Sequence, residues 1–400
     1  MSVNRISRHE SGAKEIRKHR EIRASDFRSF RFAVMAMFLF VLVVFSLSYQ
    51  KPELTERGAK EQPQPPLAER IEESRVTFLA VGDMMISRGV ARAITRANDP
   101  LVPFRKMDAI FRSTDFNFGN LEVPISGNNE IIGKGLVFNM HTRDIAGLKA
   151  YNFKVLNFAN NHALDQGING LRRTRQILDE HGLTYLGVGD NPEQAWQPKT
   201  ITVKGVKIGF VGASYASVND GGATRNDFVA RIEDHERLKA AIDQLRFEGA
   251  DFIVATMHAG VEYTRRPHQP QIDFARSAID FGADIVIGAH PHWIQIFENY
   301  KGKYIFYSLG NFIFDQEWSR DTKEGLALKI TVQKKSRNSS APNPDFPAPP
   351  PPQQEARVEQ IELIPVVIEN YSTPRPATEA EAQQILGKIG ATGKIIKPQM

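Results

Sequence analysis

A short apolar run that ends abruptly in polar side chains constrains the fold of this chain most. Residues 154–159 are mostly apolar, and Asn160, Asn161 and His162 follow at once, with Asp165 shortly after them. A strand that turns directly into a helix places such groups at the carboxyl edge of a sheet, where open α/β sheets keep their sites. The stretch therefore predicts an α/β fold with a site at this edge.

The same alternation of short apolar strands and helical patterns continues along most of the chain. Strands are predicted at residues 76–81, 115–118, 154–159, 184–188, 208–211, 252–257, 284–287, 304–308, 326–332 and 358–367. Helices are predicted at residues 87–97, 144–151, 168–181, 234–248, 269–281 and 378–386, the last with Thr378 and Glu381 as a capping box. Lys204 and Gly205 form a hairpin signal between two strands, which makes the sheet mixed. We expect a layered, mixed-sheet α/β sandwich.

The N-terminal part reads differently. Residues 32–49 contain no charge and are rich in Phe, Leu, Val and Met, a length close to the roughly 20 residues of a membrane-spanning helix. Basic residues crowd residues 1–31, so the positive-inside rule predicts a single-pass cell-membrane protein with a cytoplasmic N-terminus and an extracytoplasmic main domain. A cleaved signal peptide is the main alternative, but no clear small-residue cleavage site precedes Lys51.

The domain boundaries follow from composition. Residues 50–75 are charged and proline-containing and are predicted to be a spacer, residues 76–390 form the folded domain, and residues 391–400 form a tail. Residues 336–356 are rich in Ser, Asn and Pro and are predicted to be a disordered insertion within a hairpin.

Charge and cysteine content exclude several functions. The formal net charge of +5 resides entirely in residues 1–31, so the remaining 369 residues are neutral and give a nucleic-acid partner no electrostatic support. The chain has no cysteine, which excludes disulfides and thiolate ligands. Any metal site must therefore use oxygen and imidazole ligands.

Five predicted strands end in polar clusters that supply such ligands. One polar residue of this kind is usually a helix cap or a satisfied loop residue, but carboxylates, an amide and several imidazoles on loops at one edge match the ligand set of first-row divalent metals. The clusters are Asp83, Asn120 with Glu122, Asn161 with His162, His258 with Glu262, and His290 with His292.

The order of these clusters resembles the calcineurin-like metallophosphoesterase superfamily, and more closely the CapA family of capsule or poly-γ-glutamate biosynthesis proteins. The motifs that carry the resemblance are Gly82-Asp83-Met84-Met85 with Arg88, Asn120-Leu121-Glu122-Val123-Pro124, Asn160-Asn161-His162-x-x-Asp165, His258-x-Gly260-x-Glu262-Tyr263, Gly288-x-His290-Pro291-His292 and Ser308-Leu309-Gly310-Asn311-Phe312. The resemblance implies a metallophosphoesterase-type fold and a divalent metal site of one or two Mn, Zn or Fe ions.

It also implies roles for individual residues. Asp83, Glu122, Asn161, His258, His290 and His292 would be metal ligands. His162 would be the catalytic acid or an orienting group, assisted by Asp165. Substrate binding would fall to Arg88, Asn160, Glu262 and Asn311. For Arg92 and Arg96, which share a helix with Arg88, we favour a solvated helix face.

Two departures from the superfamily pattern affect the metal count. Met85 stands where phosphoesterases carry a histidine, and Glu122 replaces an aspartate. A thioether is a poor ligand for a hard divalent ion, so a single ion, an unequal pair or a metal-free pocket are all compatible with the sequence. Ala259 also replaces an aromatic residue after His258.

The predicted anchor and the family resemblance together imply a membrane-anchored metal-dependent hydrolase of capsule or poly-γ-glutamate biosynthesis, cleaving a phosphoester or a γ-glutamyl amide. Its expected partners are the membrane, a polyanionic extracellular polymer and other membrane subunits of a polymer synthase or export complex. The alternatives are a non-catalytic accessory that binds or exports the polymer and a plain phosphodiesterase acting on an envelope lipid or nucleotide.

Overall fold

The computed structural model describes residues 70–128, 136–215, 227–338 and 355–397. The predicted cytoplasmic segment, the membrane anchor at residues 32–49 and most of the proline-rich insertion lie outside these ranges. Within them, no helix is long and apolar enough to cross a membrane.

The strands of the described ranges form two sheets. The first sheet has the order β14-β13-β12-β1-β2-β3-β4, with β11 paired to β1 and β15 paired to β13. Its strands are β1 (Arg70–Met84), β2 (Phe116–Leu121), β3 (Phe153–Asn157), β4 (Thr184–Leu186), β11 (Asn311–Ile313), β12 (Glu324–Asn338), β13 (Glu355–Glu369), β14 (Thr373–Pro376) and β15 (Ile395–Ile396).

The second sheet has the order β5-β6-β7-β8-β10-β9. Its strands are β5 (Lys199–Val203), β6 (Val206–Ser214), β7 (Phe252–His258), β8 (Ile285–Ala289), β9 (Phe297–Tyr300) and β10 (Lys303–Phe306). The central strands of both sheets run parallel, while the hairpin β5–β6 and the long hairpin β12–β13 are antiparallel. The prediction of a mixed α/β sheet fold is confirmed.

Helices cover the outer faces of the two sheets. The α-helices of the described residues are α1 (Arg88–Ala97), α2 (Asp108–Phe111), α3 (Ile145–Ala150), α4 (Gly167–Glu180), α5 (Pro192–Ala195), α6 (His235–Phe247), α7 (Gln269–Phe281), α8 (Arg320–Lys323) and α9 (Glu379–Lys388), and short 3-10 turns occupy Arg105–Met107 and Thr142–Asp144. The bounds of α7 agree with the prediction, and Thr378 and Glu381 form the predicted capping box of α9.

The alternation of side chains along β1 shows how the layers are held together. Val76, Phe78 and Ala80 point into the core between the two sheets, where the Phe78 ring stacks on the Phe116 ring at a centroid distance of 5.0 Å. Leu79 and Val81 point to the opposite face and pack under the helices of the outer layer. A strand buried on both faces in this way belongs to the middle of a layered α/β sandwich.

Two predicted boundaries differ from the structure. The strand β1 begins at Arg70, so the last residues of the predicted spacer pair with β12 instead of leaving the fold. The predicted tail also contributes a strand, because Ile395 and Ile396 pair with β13. The added start of β1 consists mostly of polar residues, and β15 is only two residues long, so neither has an apolar periodicity that a sequence pattern could detect.

Candidate metal centre

The parallel strands of both sheets bring their carboxyl ends to one place. Asp83 lies near the end of β1, Glu122 directly follows β2, and Asn161 follows β3. From the second sheet, His258 ends β7, and His290 and His292 follow β8. All six side chains are buried, with at most 4% of their surface exposed. The predicted ligand set therefore converges, as the strand-end argument expected.

Close backbone approach makes this convergence possible. A Cβ atom on Gly82 would lie 1.9 Å from the carbonyl oxygen of Gly310, and one on Gly288 would lie 2.1 Å from that of Tyr307. Both positions therefore require glycine, because no side chain fits between the strands. His290 and His292 have positive φ angles of 104° and 57°. Such strained backbone is typical of functional sites.

Glu122 is the most unusual group in the centre. Its carboxylate is fully buried, and neither oxygen receives a hydrogen bond from an N–H or O–H donor of the described residues. Its Oε1 lies 3.7 Å from His162 Nε2 and 4.0 Å from both His258 Nε2 and His292 Nε2. These distances are too long for hydrogen bonds but suit groups that share a cation.

The electrostatics of the centre also favour a bound cation. Burial raises the pKa of Glu122 well above its ordinary value, and repulsion from Asp83 raises it further. Burial lowers the pKa of His258 and His290 well below their ordinary values, with neighbouring histidines adding to the shift. These two imidazoles are therefore neutral at pH 7, the form that binds metals, and they give the two buried carboxylates no compensating charge.

Asp83, Glu122 and His258 each offer one ligand atom, and these atoms lie within 4.8 Å of one another. A buried unbonded carboxylate, a second carboxylate and neutral imidazoles fit a divalent cation of the first transition row. Asn161 and His290 extend the set, since Asn161 Oδ1 is 2.7 Å and His290 Nδ1 is 3.1 Å from His258 Nε2. The residues present thus fit a metal ion.

Asn311 orients His292 in this set. The Asn311 amide nitrogen donates to the carbonyl oxygen of Thr322 at 2.9 Å, so its Oδ1 faces His292 and accepts the Nδ1 proton at 2.9 Å. The free lone pair of His292 is then on Nε2, the atom nearest Glu122. The predicted substrate contact of Asn311 is replaced by this orienting role, because its polar atoms are used within the protein.

His162 is held in a fixed orientation beside Glu122. Its Nδ1 donates to Asp165 Oδ2 at 2.8 Å, and the Phe138 ring stacks on the imidazole at 4.0 Å. The same Asp165 oxygen accepts the backbone N–H of Phe138 at 2.6 Å. Burial raises the pKa of Asp165 above its ordinary value, although the bonds from His162 and Phe138 oppose that shift. Asp165 therefore holds the ring so that Nε2 faces the metal ligands.

Other predicted substrate residues lie outside the centre. Asn160 is fully buried, donating to the carbonyl oxygen of Leu121 and accepting the backbone N–H of His162, so it holds the turn instead of reaching a substrate. Arg88 forms an ion pair with Asp315 and lies over the Phe138 ring, one aromatic layer away from His162. Glu262 is exposed at the rim.

Two buried asparagines have roles that the sequence did not assign. Asn120 Nδ2 donates to Asp83 Oδ1 at 2.8 Å and lies 3.1 Å from His258 Nδ1, and Asn157 donates to Asn120 Oδ1 at 2.9 Å. They fix the Asp83 carboxylate and the His258 ring relative to each other. The available signal was an asparagine at or next to the carboxyl end of each strand, β2 and β3.

Met85 does not contribute to the centre. Its side chain is fully buried in the apolar cluster under α1, and its backbone N–H donates to the carbonyl oxygen of Ile313. The Met85 sulfur therefore does not face the candidate metal ligands, in agreement with the predicted loss of one donor.

Comparison with known proteins identifies the family to which this sequence is similar. Residues 77–316 match the family described as bacterial capsule synthesis protein PGA_cap. The capsule biosynthesis protein CapA of Bacillus anthracis is 32% identical over 269 residues, covering 66% of this chain and 65% of that protein. The PGA biosynthesis protein CapA of Bacillus subtilis (strain 168) is 34% identical over 257 residues, covering 64% of this chain and 67% of that protein. The match thus spans about two thirds of either relative.

Among solved structures, the calcineurin-like phosphoesterase YfkN of Bacillus subtilis is 14% identical. The alignment covers 80% of this chain and 96% of that chain, with a TM-score of 0.44.

Proposed function

Because the chain belongs to the PGA_cap family of bacterial capsule synthesis proteins, we propose that it is a membrane-anchored, extracytoplasmic, metal-dependent hydrolase of capsule or poly-γ-glutamate biosynthesis. One observation carries the hydrolase part of this proposal. Glu122 is fully buried and unbonded among the described residues, and it faces Asp83 and three imidazoles at the shared edge of the strands. An uncompensated buried carboxylate costs stability, and a bound cation would offset that cost.

Six side chains would hold one or two ions of Mn, Zn or Fe: Asp83, Glu122, Asn161, His258, His290 and His292. When bound, such an ion supplies Lewis acidity, which polarises the bond to be cleaved and makes water a better nucleophile. The chain itself supplies the dry, rigid setting. Every ligand is buried, and the asparagines at positions 120, 157 and 311 hold Asp83, His258 and His292 in place.

His162 would hold and deliver the proton. Asp165 accepts the Nδ1 proton and orients the ring, so Nε2 faces the ligand cluster. From that position the ring can protonate the leaving group as the bond breaks. The same chemistry can cleave phosphoesters and γ-glutamyl amides, so we include both bonds as candidate substrates.

The location and partners are also part of the proposal. Residues 32–49 would anchor the chain in the cell membrane, with the basic residues 1–31 in the cytoplasm. The centre would then act outside the cell on a polyanionic polymer, beside other membrane subunits of a synthase or export complex. The neutral charge of residues 32–400 gives no support to a nucleic-acid partner.

Metal content and chelation test this function. We expect the purified full-length protein to contain one or two transition-metal ions by elemental analysis and to cleave poly-γ-glutamate or a simple phosphodiester such as bis-p-nitrophenyl phosphate. Chelation should abolish turnover and re-addition of Mn²⁺, Zn²⁺ or Fe²⁺ should restore it. A metal-free protein, or one whose turnover survives exhaustive chelation, would contradict the proposal.

A second function is favoured by Met85. Because this side chain lies in the apolar core, one of the two ion positions of a phosphoesterase has one donor fewer, and the protein would then be a non-catalytic accessory that binds or exports the polymer. This function predicts salt-sensitive binding of poly-γ-glutamate without turnover. Elemental analysis that finds no metal, together with such binding, would select it.

Replacing His162 by glutamine tests the proton-transfer role. We expect turnover to fall about 100-fold while the metal content stays unchanged, because general acid catalysis typically contributes 10²–10⁴-fold. The reduction should be smallest for a substrate whose leaving group needs no proton, such as p-nitrophenolate. A loss of bound metal in His162→Gln would instead make His162 a ligand.

A further inference from the structure

A basic surface begins beside the metal centre and runs along α1. Residues 88–98 and 136–151 lie side by side and together hold five basic residues and one acidic residue, a net charge of +4. The acidic side chain, Asp144, is fully buried. The basic residues, which we call the basic surface, are Arg88, Arg92, Arg96, Arg143 and Lys149. Because residues 32–400 are neutral as a whole, positive charge is concentrated at this place.

Two contacts hold the segments together and connect them to the centre. The Arg88 guanidinium group lies over the Phe138 ring at 4.7 Å, and Arg143 Nη2 donates to Thr95 Oγ1 at 3.0 Å. Residues 138–143 therefore follow α1 from its first turn to its last. The Phe138 ring also stacks on the His162 imidazole at 4.0 Å. The basic surface thus starts one aromatic ring away from His162 and extends for about 15 Å, the length of a ten-residue helix.

The orientation of α1 directs its arginines outward. The helix buries Val90, Ala91 and Ile94 and exposes Arg92 and Arg96, as the sequence predicted. Residues four apart lie on the same side of a helix, about 6 Å from each other along its axis. The two guanidinium groups therefore form a row that faces solvent.

The charge of this row differs from that of other helix surfaces in the protein. In α6, Lys239 pairs with Asp243 within the helix, and Arg237 pairs with Asp234 at the N-cap. By contrast, α1 contains no acidic residue, and Arg96 forms no ion pair within the part of the chain that the structure describes. Like charges four residues apart on a helix repel each other. An anion bound along this face would relieve that repulsion.

We propose that the basic surface binds a linear polycarboxylate and leads it to the metal centre. The polymer is the polyanionic one of the proposed function, on which this step rests, and the basic surface is the place where it binds. Guanidinium groups suit carboxylates because they can donate two parallel hydrogen bonds. A γ-glutamyl unit has two more methylene carbons in its backbone than an ordinary residue, so when extended it spans about 6 Å. Successive units therefore advance by the same interval as Arg92 and Arg96.

The extent of the basic surface favours a polymer over a small anion. A small phosphoester would contact only the centre, whereas a surface of about 15 Å accommodates two or three extended γ-glutamyl units. Arg88, at the inner end, already forms an ion pair with Asp315. Binding of the carboxylates therefore falls to the exposed Arg92, Arg96 and Arg143. A chain that lies along them reaches the centre at Phe138, on the side of His162.

Binding of a labelled γ-linked oligoglutamate to the full-length protein tests the basic surface. The protein is chelated and held in a neutral detergent, and fluorescence anisotropy is measured at low and at high salt. We expect wild type to bind and high salt to weaken binding. Arg92→Gln/Arg96→Gln should bind about tenfold more weakly and with a smaller salt dependence, because two exposed ion pairs are lost.

The control removes the same charge elsewhere. Lys204 and Lys301 are 61% and 62% exposed and lie in the turns before β6 and β10, at the amino ends of these strands and opposite the centre. Lys204→Gln/Lys301→Gln should bind as wild type does. Circular dichroism should show the same helix content for both double variants.

The outcomes separate the basic surface from the hydrolytic function, because binding is measured without metal. Arg92- and Arg96-dependent binding by a protein that holds no metal and has no turnover would support the surface and contradict the hydrolase. Absence of binding by wild type, equal binding by Arg92→Gln/Arg96→Gln, or an equal loss in the lysine control would overturn the surface. Arginine-dependent binding of polyphosphate without binding of the oligoglutamate would overturn the assignment to a polycarboxylate.

Discussion

Replacing His290 by alanine is expected to remove the metal and the hydrolytic activity together. His290 lies 3.1 Å from His258 Nε2, its backbone N–H donates to Asp83 Oδ2 at 3.3 Å, and only 1% of its surface is exposed. Alanine removes an imidazole ligand and leaves a gap that water can enter. Replacing a residue that only supports a metal ligand typically lowers metal affinity about 10–100-fold. Loss of a ligand itself should therefore lower the affinity about 100-fold or more.

The measurement is elemental analysis with a metal titration, followed by turnover of the substrate identified for the wild type. His181→Ala is the matched control, since His181 lies at the end of α4 away from the centre and should retain metal and activity. Circular dichroism should show the same fold for both variants. Full activity in His290→Ala would exclude this residue from the centre and with it the proposed ligand set.

Replacing Glu122 by glutamine is expected to have two opposite effects. Metal binding and turnover should fall to background, because the amide removes the anionic donor at the middle of the cluster. The metal-free protein should become more stable, because an isosteric neutral group replaces a buried carboxylate that has no donor among the described residues. Removing such a buried, unsatisfied group should raise the free energy of unfolding by about 1–3 kcal/mol.

The pH dependence of this gain follows from the shifted pKa. Burial and Asp83 raise the pKa of Glu122 in the folded protein, so in acid both the folded and unfolded states carry the proton and the variant gains little. As the pH rises through the ordinary value of about 4.3, the unfolded state loses its proton first and the metal-free wild type loses stability. The stability difference between Glu122→Gln and wild type should therefore grow with pH and level off above the folded-state pKa.

Urea unfolding of both chelated proteins across this pH range measures the difference. The histidines make both proteins more stable as the pH rises. His258 and His290 have lowered pKa values in the folded state, so they stabilise the fold increasingly as the pH rises toward their unfolded value of about 6.5. Comparing variant with wild type at each pH cancels most of that contribution. A Glu122→Gln protein that is less stable than the chelated wild type at neutral pH would show that the carboxylate is already satisfied without metal.

Much of the candidate site could be predicted because its residues share a local signal. Asp83, Asn161 and His290 each stand where an apolar strand ends, and parallel strands carry such ends to one edge whatever the details of packing. The start of α9 was predictable for a similar reason, since its capping box of Thr378 and Glu381 acts within one turn of the chain.

The roles of Asn311 and Asn160 could not be predicted in the same way. Both stand beside ligands in sequence, which suggested substrate contacts. Their amides instead bind His292, Thr322 and Leu121, groups brought near by strand pairing. Whether an amide can bind a substrate depends on whether it already has hydrogen-bond partners within the protein. Those partners are distant in sequence and come close only when the two sheets pack.

The sequence by itself determined the layered α/β class, the family and the set of candidate ligand residues, because these depend on the short-range alternation of apolar strands and polar ends. Only the tertiary structure decided that Glu122 is buried without a hydrogen-bond donor among the described residues, that Met85 enters the core and that the arginines of α1 begin one aromatic ring away from His162. Burial, pKa shifts and ring geometry depend on what surrounds a side chain in space. Those surroundings are set by contacts between segments that are far apart along the chain.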